Sequence, residues 1–242
     1  MNAKKAVMLI KWALLLLPVN LLAGSLNFSP IRVDLSVNNP IASITVTNNN
    51  DTPTTLQLEV NEWQQDKGQD IYKPSKDILA LPPLAKIAPH GKQIFRIALR
   101  RTPANNQELA YRVFMQQTNS PQKVNGSGIR FLVRFGIPIF VKPALNSQLQ
   151  FQAQLKPLTD NNYQVYINNT GNLHLKLDKI RIENKDKKII ATIDSGSYLL
   201  PGQTASWITK LKNTNSPLQL QDTKFLVVTD TATYTSDGSQ VP

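Results

Sequence analysis

The sequence predicts an all-β chain folded as two consecutive sandwiches, and three observations carry that expectation. Apolar and polar residues alternate over short runs, the period of half-buried strands. Clusters of turn-forming residues separate these runs at the spacing of a β-sandwich. Helix-period patterns are scarce after the first two dozen residues, where Asn, Thr, Gln, Val, Ile and Pro dominate. A hydrophobic content of 41% is enough to build a core and argues against wholesale disorder.

Taken in order, strands are expected at 27–36, 41–48, 55–64, 92–99, 109–117 and 129–141. The stretches "NNNDTPT", "QDKGQD", "PHGK", "RRTPANN" and "NSPQKVNGSG" turn the chain between them. A second series is expected at 149–155, 163–168, 173–183, 188–193, 204–211 and 225–229, with turns at "TDNN", "NKDK" and "PGQ". The break falls at "KPALNS", because the residue before Pro143 is biased to extended geometry and the strand pattern resets just after it. Each half then has about the 100 residues of one immunoglobulin-like sandwich. The expected division is 1–24 as a signal peptide, 25–143 as a first sandwich and 144–242 as a second. A single large barrel is the competing architecture.

The leader is read from "MNAKKAVMLIKWALLLLPVNLLAGS": Lys4 and Lys5 form a basic head, an apolar run follows Lys11, and small residues close it. Lys11, Pro18 and Asn20 interrupt what a membrane anchor needs, about 20 unbroken apolar residues. Export is therefore expected, and with no cysteine the chain brings neither a disulfide framework nor thiolate chemistry. The formal net charge of +11 suits acidic partners or anionic surfaces. An exported chain with no basic cluster beyond "LRR" is not expected to bind nucleic acid.

Catalytic signatures do not stand out. His90 in a "PHG" turn and His174 in "LHLKL" fall in different halves, and neither has a second histidine or carboxylate at metal-ligand spacing. They read as a turn histidine and a surface strand histidine. There is no G-x-S-x-G elbow, phosphate-binding glycine loop or EF-hand loop, and no pair among the 16 carboxylates stands out in sequence as an acid/base couple. No enzyme, metal or cofactor is expected. Trp63 and Trp207 leave open a second reading, an exported carbohydrate- or surface-binding sandwich, which requires stacked aromatics on an exposed face.

The informative segment is "GIRFLVRFGIPIFVKP", 128–143. Ile129, Phe131, Val133, Phe135, Ile137, Ile139 and Val141 share one face, while Pro138 has no N–H to give a ladder and so marks an edge. Proteins normally blunt apolar edges, because they pair with other chains. Keeping one suits strand lending, in which an extended segment completes the sheet of a partner and alternate side chains fill its pockets. The lending segment is expected at 129–135, with the row passing into the chain's own core towards Ile139 and Val141.

These residues, with "FSPIRVDLS", "LPPLAKIAPHGKQIFRIALR", "YRVFMQQ" and "YINNTGNLHLKL", resemble the periplasmic chaperones of the chaperone–usher pathway over nearly the whole mature chain. The resemblance implies two immunoglobulin-like domains in a boomerang arrangement, residence in the periplasm, and partners in fibre (pilus) subunits and an outer-membrane usher, the chain's only contact with a membrane. It also implies the mechanism. A subunit lacking one strand is capped by the chaperone's donor strand until an usher swaps in the next subunit's extension. The donor side chains carry over to Ile129, Phe131, Val133 and Phe135. The anchor for the subunit's terminal carboxylate carries over to Arg32. The family's second anchor, a lysine, falls on Pro138, so Arg112 or Arg134 takes its place. That departure, together with "YRV" and the lack of cysteine, resembles the archaic or alternative branch. An interdomain ionic cluster carries over to Arg96 and Glu108, with Asp230 as a third member. A free donor edge also allows self-capping into oligomers.

Overall fold

The computed structural model describes residues 26–100, 106–118, 132–160, 162–212, 223–229 and 232–240. The chain enters as β1 (Leu26–Ser29), antiparallel to β3 (Ile41–Asn48), then crosses to the opposite sheet as β2 (Val33–Leu35). The single strand expected at 27–36 is thus split at Pro30, and its halves serve two sheets. One sheet has the order β1-β3-β8-β6, with β8 at Lys92–Leu99 and β6 at Ile78–Leu81. The facing sheet runs β2-β10-β9-β4-β5, from β4 (Thr54–Asp66), β5 (Gln69–Pro74), β9 (Leu109–Gln117) and β10 (Arg134–Val141), and β7 (Leu84–Ile87) pairs with β4.

Strict alternation produces the core between them: Ile44, Val46, Phe95, Ile97, Val113, Met115 and Ile139 are completely buried, while the residues between them face outward. The second half forms one seven-stranded path, β14-β13-β16-β17-β11-β12-β15. Its strands are β11 (Phe151–Pro157), β12 (Asn162–Asn169), β13 (Leu175–Glu183), β14 (Ile189–Leu199), β15 (Thr204–Lys210), β16 (Lys224–Val228) and β17 (Thr233–Gln240). It wraps a separate core that includes Leu155, Ile167, Leu177, Ile180 and Phe225.

Every described regular element is a strand, as the alternation predicts, and the two cores are the two expected sandwiches. Four strands were not anticipated. Prolines disguised β5, β6 and β7: Pro74 ends β5, and Pro82 and Pro83 separate β6 from β7, so they bracket short strands instead of breaking them. Lys67 and Gly68, at φ 50° and 77°, form the two-residue turn that brings β5 back onto β4. The fourth, β17, has no apolar alternation; only Tyr234 reaches the core.

Each sandwich pins one turn with a fully buried asparagine. Asn48 Nδ2 donates to the carbonyls of Thr52, Ile87 and Ala88, and Asn169 Nδ2 to those of Leu173 and Leu199. Buried carbonyls left without such donors are costly, so these turns are held firmly to their cores.

Candidate functional site

The site begins with β10 and its open edge. In its register with β9, Val141 lies opposite Leu109 and Arg134 opposite Gln116. The Gln117 N–H donates to the Val133 carbonyl at 3.0 Å, so the odd-numbered residues of this strand exchange hydrogen bonds with β9. Pro138, even-numbered, turns its donorless nitrogen away from β9 and costs that ladder nothing. On the outer side β2 covers only Ile139, Phe140 and Val141. From Arg134 to Pro138 no described strand pairs with that side.

The apolar row changes character along this strand. Ile137, Ile139 and Val141 are buried in the first core. Phe135 is half-buried, its ring 4.3 Å from that of Phe28 on β1. Val133 is 40% exposed and the adjoining Leu132 42%. Ile129 and Phe131, the first two expected donor residues, lie outside the described residues.

The opposite face of the same sheet carries the arginines. Arg112 lies directly opposite Pro138 in register. Arg32 immediately precedes Val33, which pairs with Ile139, so it is carried towards Pro138 from the other side. Arg32 Nε donates to Asp34 at 3.2 Å and remains partly exposed. The Arg112 guanidinium sits 4.0 Å over the Trp63 ring, donates to the Tyr72 hydroxyl at 2.7 Å and lies 3.7 Å from Asp70. Gly136 makes that path possible: a Cβ there would stand 2.9 Å from Arg112 Cδ and 3.0 Å from the Phe114 ring. Arg134 faces solvent one step towards the open end, over Phe114 at 3.8 Å and donating to Glu59 at 3.3 Å. The strands therefore carry Arg32 and Arg112 to the two sides of Pro138, while Arg134 lies beside the edge.

Asp70 and Tyr72 tune the surroundings of Arg112. Burial alone drives the Asp70 carboxyl upward, but hydrogen bonding from Gln65 and Tyr72, with the charge of Arg112, outweighs it and holds the group below its ordinary range. Burial and the bond to Asp70 push the Tyr72 phenol up to about 12, against the opposing charge of Arg112. At neutral pH this leaves an ionised Asp70 carboxylate beside Arg112, and both line a cleft of about 780 Å³. Tyr198, Ser206 and Trp207 of the second sandwich form its other wall.

The interdomain cluster differs from the expectation. Arg96 pairs with Ser43 and Leu81 on the exposed face of the four-stranded sheet and makes no ion pair with Glu108. The alternation that buries Phe95 and Ile97 turns Arg96 outward. Asp230 lies outside the described residues. Glu108 is buried and bonds His174 instead: one carboxylate oxygen accepts the His174 backbone N–H at 2.7 Å and meets its Nδ1 at 2.7 Å. His174 is thus no surface strand histidine; its ring stacks on Phe140 at 3.5 Å and 10°. Trp63, Ala110, Phe140 and Leu200 form a third small core at this junction, and Gln65 clasps the Tyr198 carbonyl and the Leu200 N–H. The sequence held no sign that the polar side of "NLHLKL" meets another sandwich. Among the described residues no three metal-ligating side chains come together.

Two immunoglobulin-like sandwiches, an open apolar strand edge and an arginine-bearing cleft define a two-domain binding scaffold. Residues 25–146 match the pili and flagellar-assembly chaperone family, PapD N-terminal domain. The chain belongs to that family. No curated protein matches it. Among solved structures, it resembles one from the CsuC–CsuE chaperone–tip subunit pre-assembly complex of the archaic Csu pili of Acinetobacter baumannii, with a TM-score of 0.63 at 16% identity over 90% of this chain and 100% of that one. It also resembles the Escherichia coli chaperone DraB, at 0.60 and 17% over 89% and 97%. The chaperone CupB2 of Pseudomonas aeruginosa matches at 0.54 and 18%, over 87% and 98%.

Proposed function

We propose that this pilus-assembly chaperone works in the periplasm, where it binds, folds and caps fibre subunits by lending them the strand at 129–135, then passes them to an outer-membrane usher. The observation that carries the reading is the gradient along one apolar row, buried at Ile137–Val141 and exposed at Val133, on an edge that β2 leaves open. A strand fixed at one end and bare at the other can enter a groove without unravelling its own sandwich. Burying one Val, Ile or Phe is worth roughly 1.5–3 kcal/mol, so Ile129, Phe131, Val133 and Phe135 supply several kcal/mol to an incomplete subunit before ordering costs. No nucleotide is required, because capping is stoichiometric binding.

Arg32 and Arg112 take the subunit's terminal carboxylate in this reading. A guanidinium fork matches a carboxylate bidentately, and anchoring the terminus sets the register of the lent strand. Arg134 beside the edge screens charge at the entrance.

Carbohydrate binding is less well supported, since Trp63 is 3% exposed and Trp207 packs on the second core. Co-expression with a secreted pilus subunit tests the proposal. The parent chain should recover soluble subunit in a one-to-one complex, and Phe131→Asp should recover none while itself remaining folded. Equal recovery by both chains refutes strand lending from this segment.

A further inference from the structure

We propose that Asn172 is the positioning residue that fixes how the two sandwiches meet, through neutral hydrogen bonds where an ionic cluster was expected. Its side chain ties three segments together. Nδ2 donates to the Asn106 carbonyl at 2.7 Å, in the stretch leading into β9 of the first sandwich, and to the Asn146 carbonyl at 2.7 Å in the linker. Oδ1 accepts the Gln148 N–H at 2.6 Å. The Asn172 carbonyl accepts the Glu108 N–H at 2.9 Å, and its N–H donates to the Gln148 carbonyl at 3.0 Å.

The arm that presents Asn172 is stiff. Asn169, fully buried, bonds the carbonyls on either side of it in the second sandwich and accepts the Gly171 N–H at 3.1 Å. Gly171 lies so close to the linker that a Cβ would sit 2.5 Å from the Gln148 carbonyl oxygen and 2.6 Å from the Gln150 nitrogen. Two residues further on, His174 holds Glu108. Asn172 and His174 of the second sandwich thus both grip the entry to β9, the strand that also carries Arg112. Moving Asn172 relative to Asn106 displaces one wall of the cleft from the other.

The chemistry distinguishes this from space filling. Both Nδ2 protons face carbonyl oxygens, so the position demands a donor, and a carboxylate of the same shape meets two acceptors it cannot satisfy. Because no formal charge takes part at Asn172, its grip is insensitive to salt, unlike that of exposed ion pairs.

Domain orientation measured by solution scattering and residual dipolar couplings, at low and high salt, tests the inference with Asn172→Ala and Asn172→Asp. Both variants should adopt a broader distribution of interdomain angles, Asn172→Asp at least as broad as Asn172→Ala, with the unfolding midpoints of both sandwiches nearly unchanged. The broadening caused by each substitution should be the same at low and high salt, since the Glu108–His174 contact crosses the joint in parent and variants alike. Orientation matching the parent in Asn172→Asp, or in both variants, overturns the proposal. The consequence for capture rests on the chaperone reading: both variants should bind subunit several-fold more weakly. A parent that captures no subunit overturns that reading, while the joint is decided by orientation alone.

Discussion

Gly136→Ala puts the arginine path to a quantitative test. The added methyl would meet Arg112 Cδ at 2.9 Å and the Phe114 ring at 3.0 Å, so both neighbours have to move. Phe114 needs to give slightly, and the Arg112 stem has to shift at Cδ. That shift weakens the stack on Trp63, worth at most roughly 0.5–2 kcal/mol, and the charged hydrogen bond to Tyr72, worth at most about 1.5–3 kcal/mol. Removing a glycine from a strand returns roughly 0.5–1 kcal/mol of backbone entropy. The net expectation is a loss of about 1–2 kcal/mol by denaturant unfolding, accompanied by clearly weaker subunit capture. The decisive measurement is a double-mutant cycle. In an Arg112→Ala background the crowded side chain is gone, so Gly136→Ala should become neutral or mildly stabilising. If it costs the same in both backgrounds, Gly136 is not there for Arg112 and the account of the cleft floor is wrong.

The remaining predictions follow from the same geometry. Arg32→Ala should nearly abolish subunit capture and Arg112→Ala should weaken it, whereas Arg100→Ala, exposed beyond β8, should bind as the parent does; a pull-down with matched subunit amounts checks all three. Glu108→Ala removes the acceptor of the His174 backbone N–H and the partner of its ring, leaving a part-buried donor unpaired, and should cost roughly 1–3 kcal/mol; an unchanged denaturant midpoint would contradict it. Tyr72 has a folded pKa of about 12 against an ordinary value of 10.0, so the folded state holds the proton more tightly. Its contribution to stability is complete below pH 10 and is lost as pH rises towards 12. In ultraviolet titration Tyr72→Phe should remove the ionisation step near 12.

Much of this was legible in the chain because alternation is a geometric constraint. Phe95 and Ile97 inward, or Val113 and Met115 inward, follow from a period of two, and with them the two cores. The same rule could have excluded Arg96 from the joint, since the neighbour of two core residues in a strand points away from the core. Pro138 likewise announced an edge, and the register shows which side of the strand is open. What stayed hidden was contact between surfaces distant in sequence. Nothing local to "NTGNLH" says that Asn172 faces Asn106, 66 residues away, or that His174 lies flat on Phe140. Short strands bracketed by proline were hidden for a different reason, because proline carries the same local signal whether it ends a strand or fills a loop.

One strand reconciles two demands that conflict in most sheets. A lending edge has to be exposed and apolar, yet a frayed apolar strand aggregates and drags its sandwich with it. Here β10 divides the work along its length and between its faces. Ile137, Ile139 and Val141 fasten it to the first core, β2 closes its edge only over the last three residues, and Phe140 on the opposite face is clamped by His174 from the second sandwich. The fastened part is therefore gripped from three directions, and the bare part beyond Pro138 is free to pair. A weaker joint should accordingly do more than change an angle. Losing the His174 stack exposes the back of Phe140, which on the proposed strand-lending reading anchors the strand where lending stops. On that reading the second sandwich acts on capture without touching the subunit at that point, by holding still the strand that does.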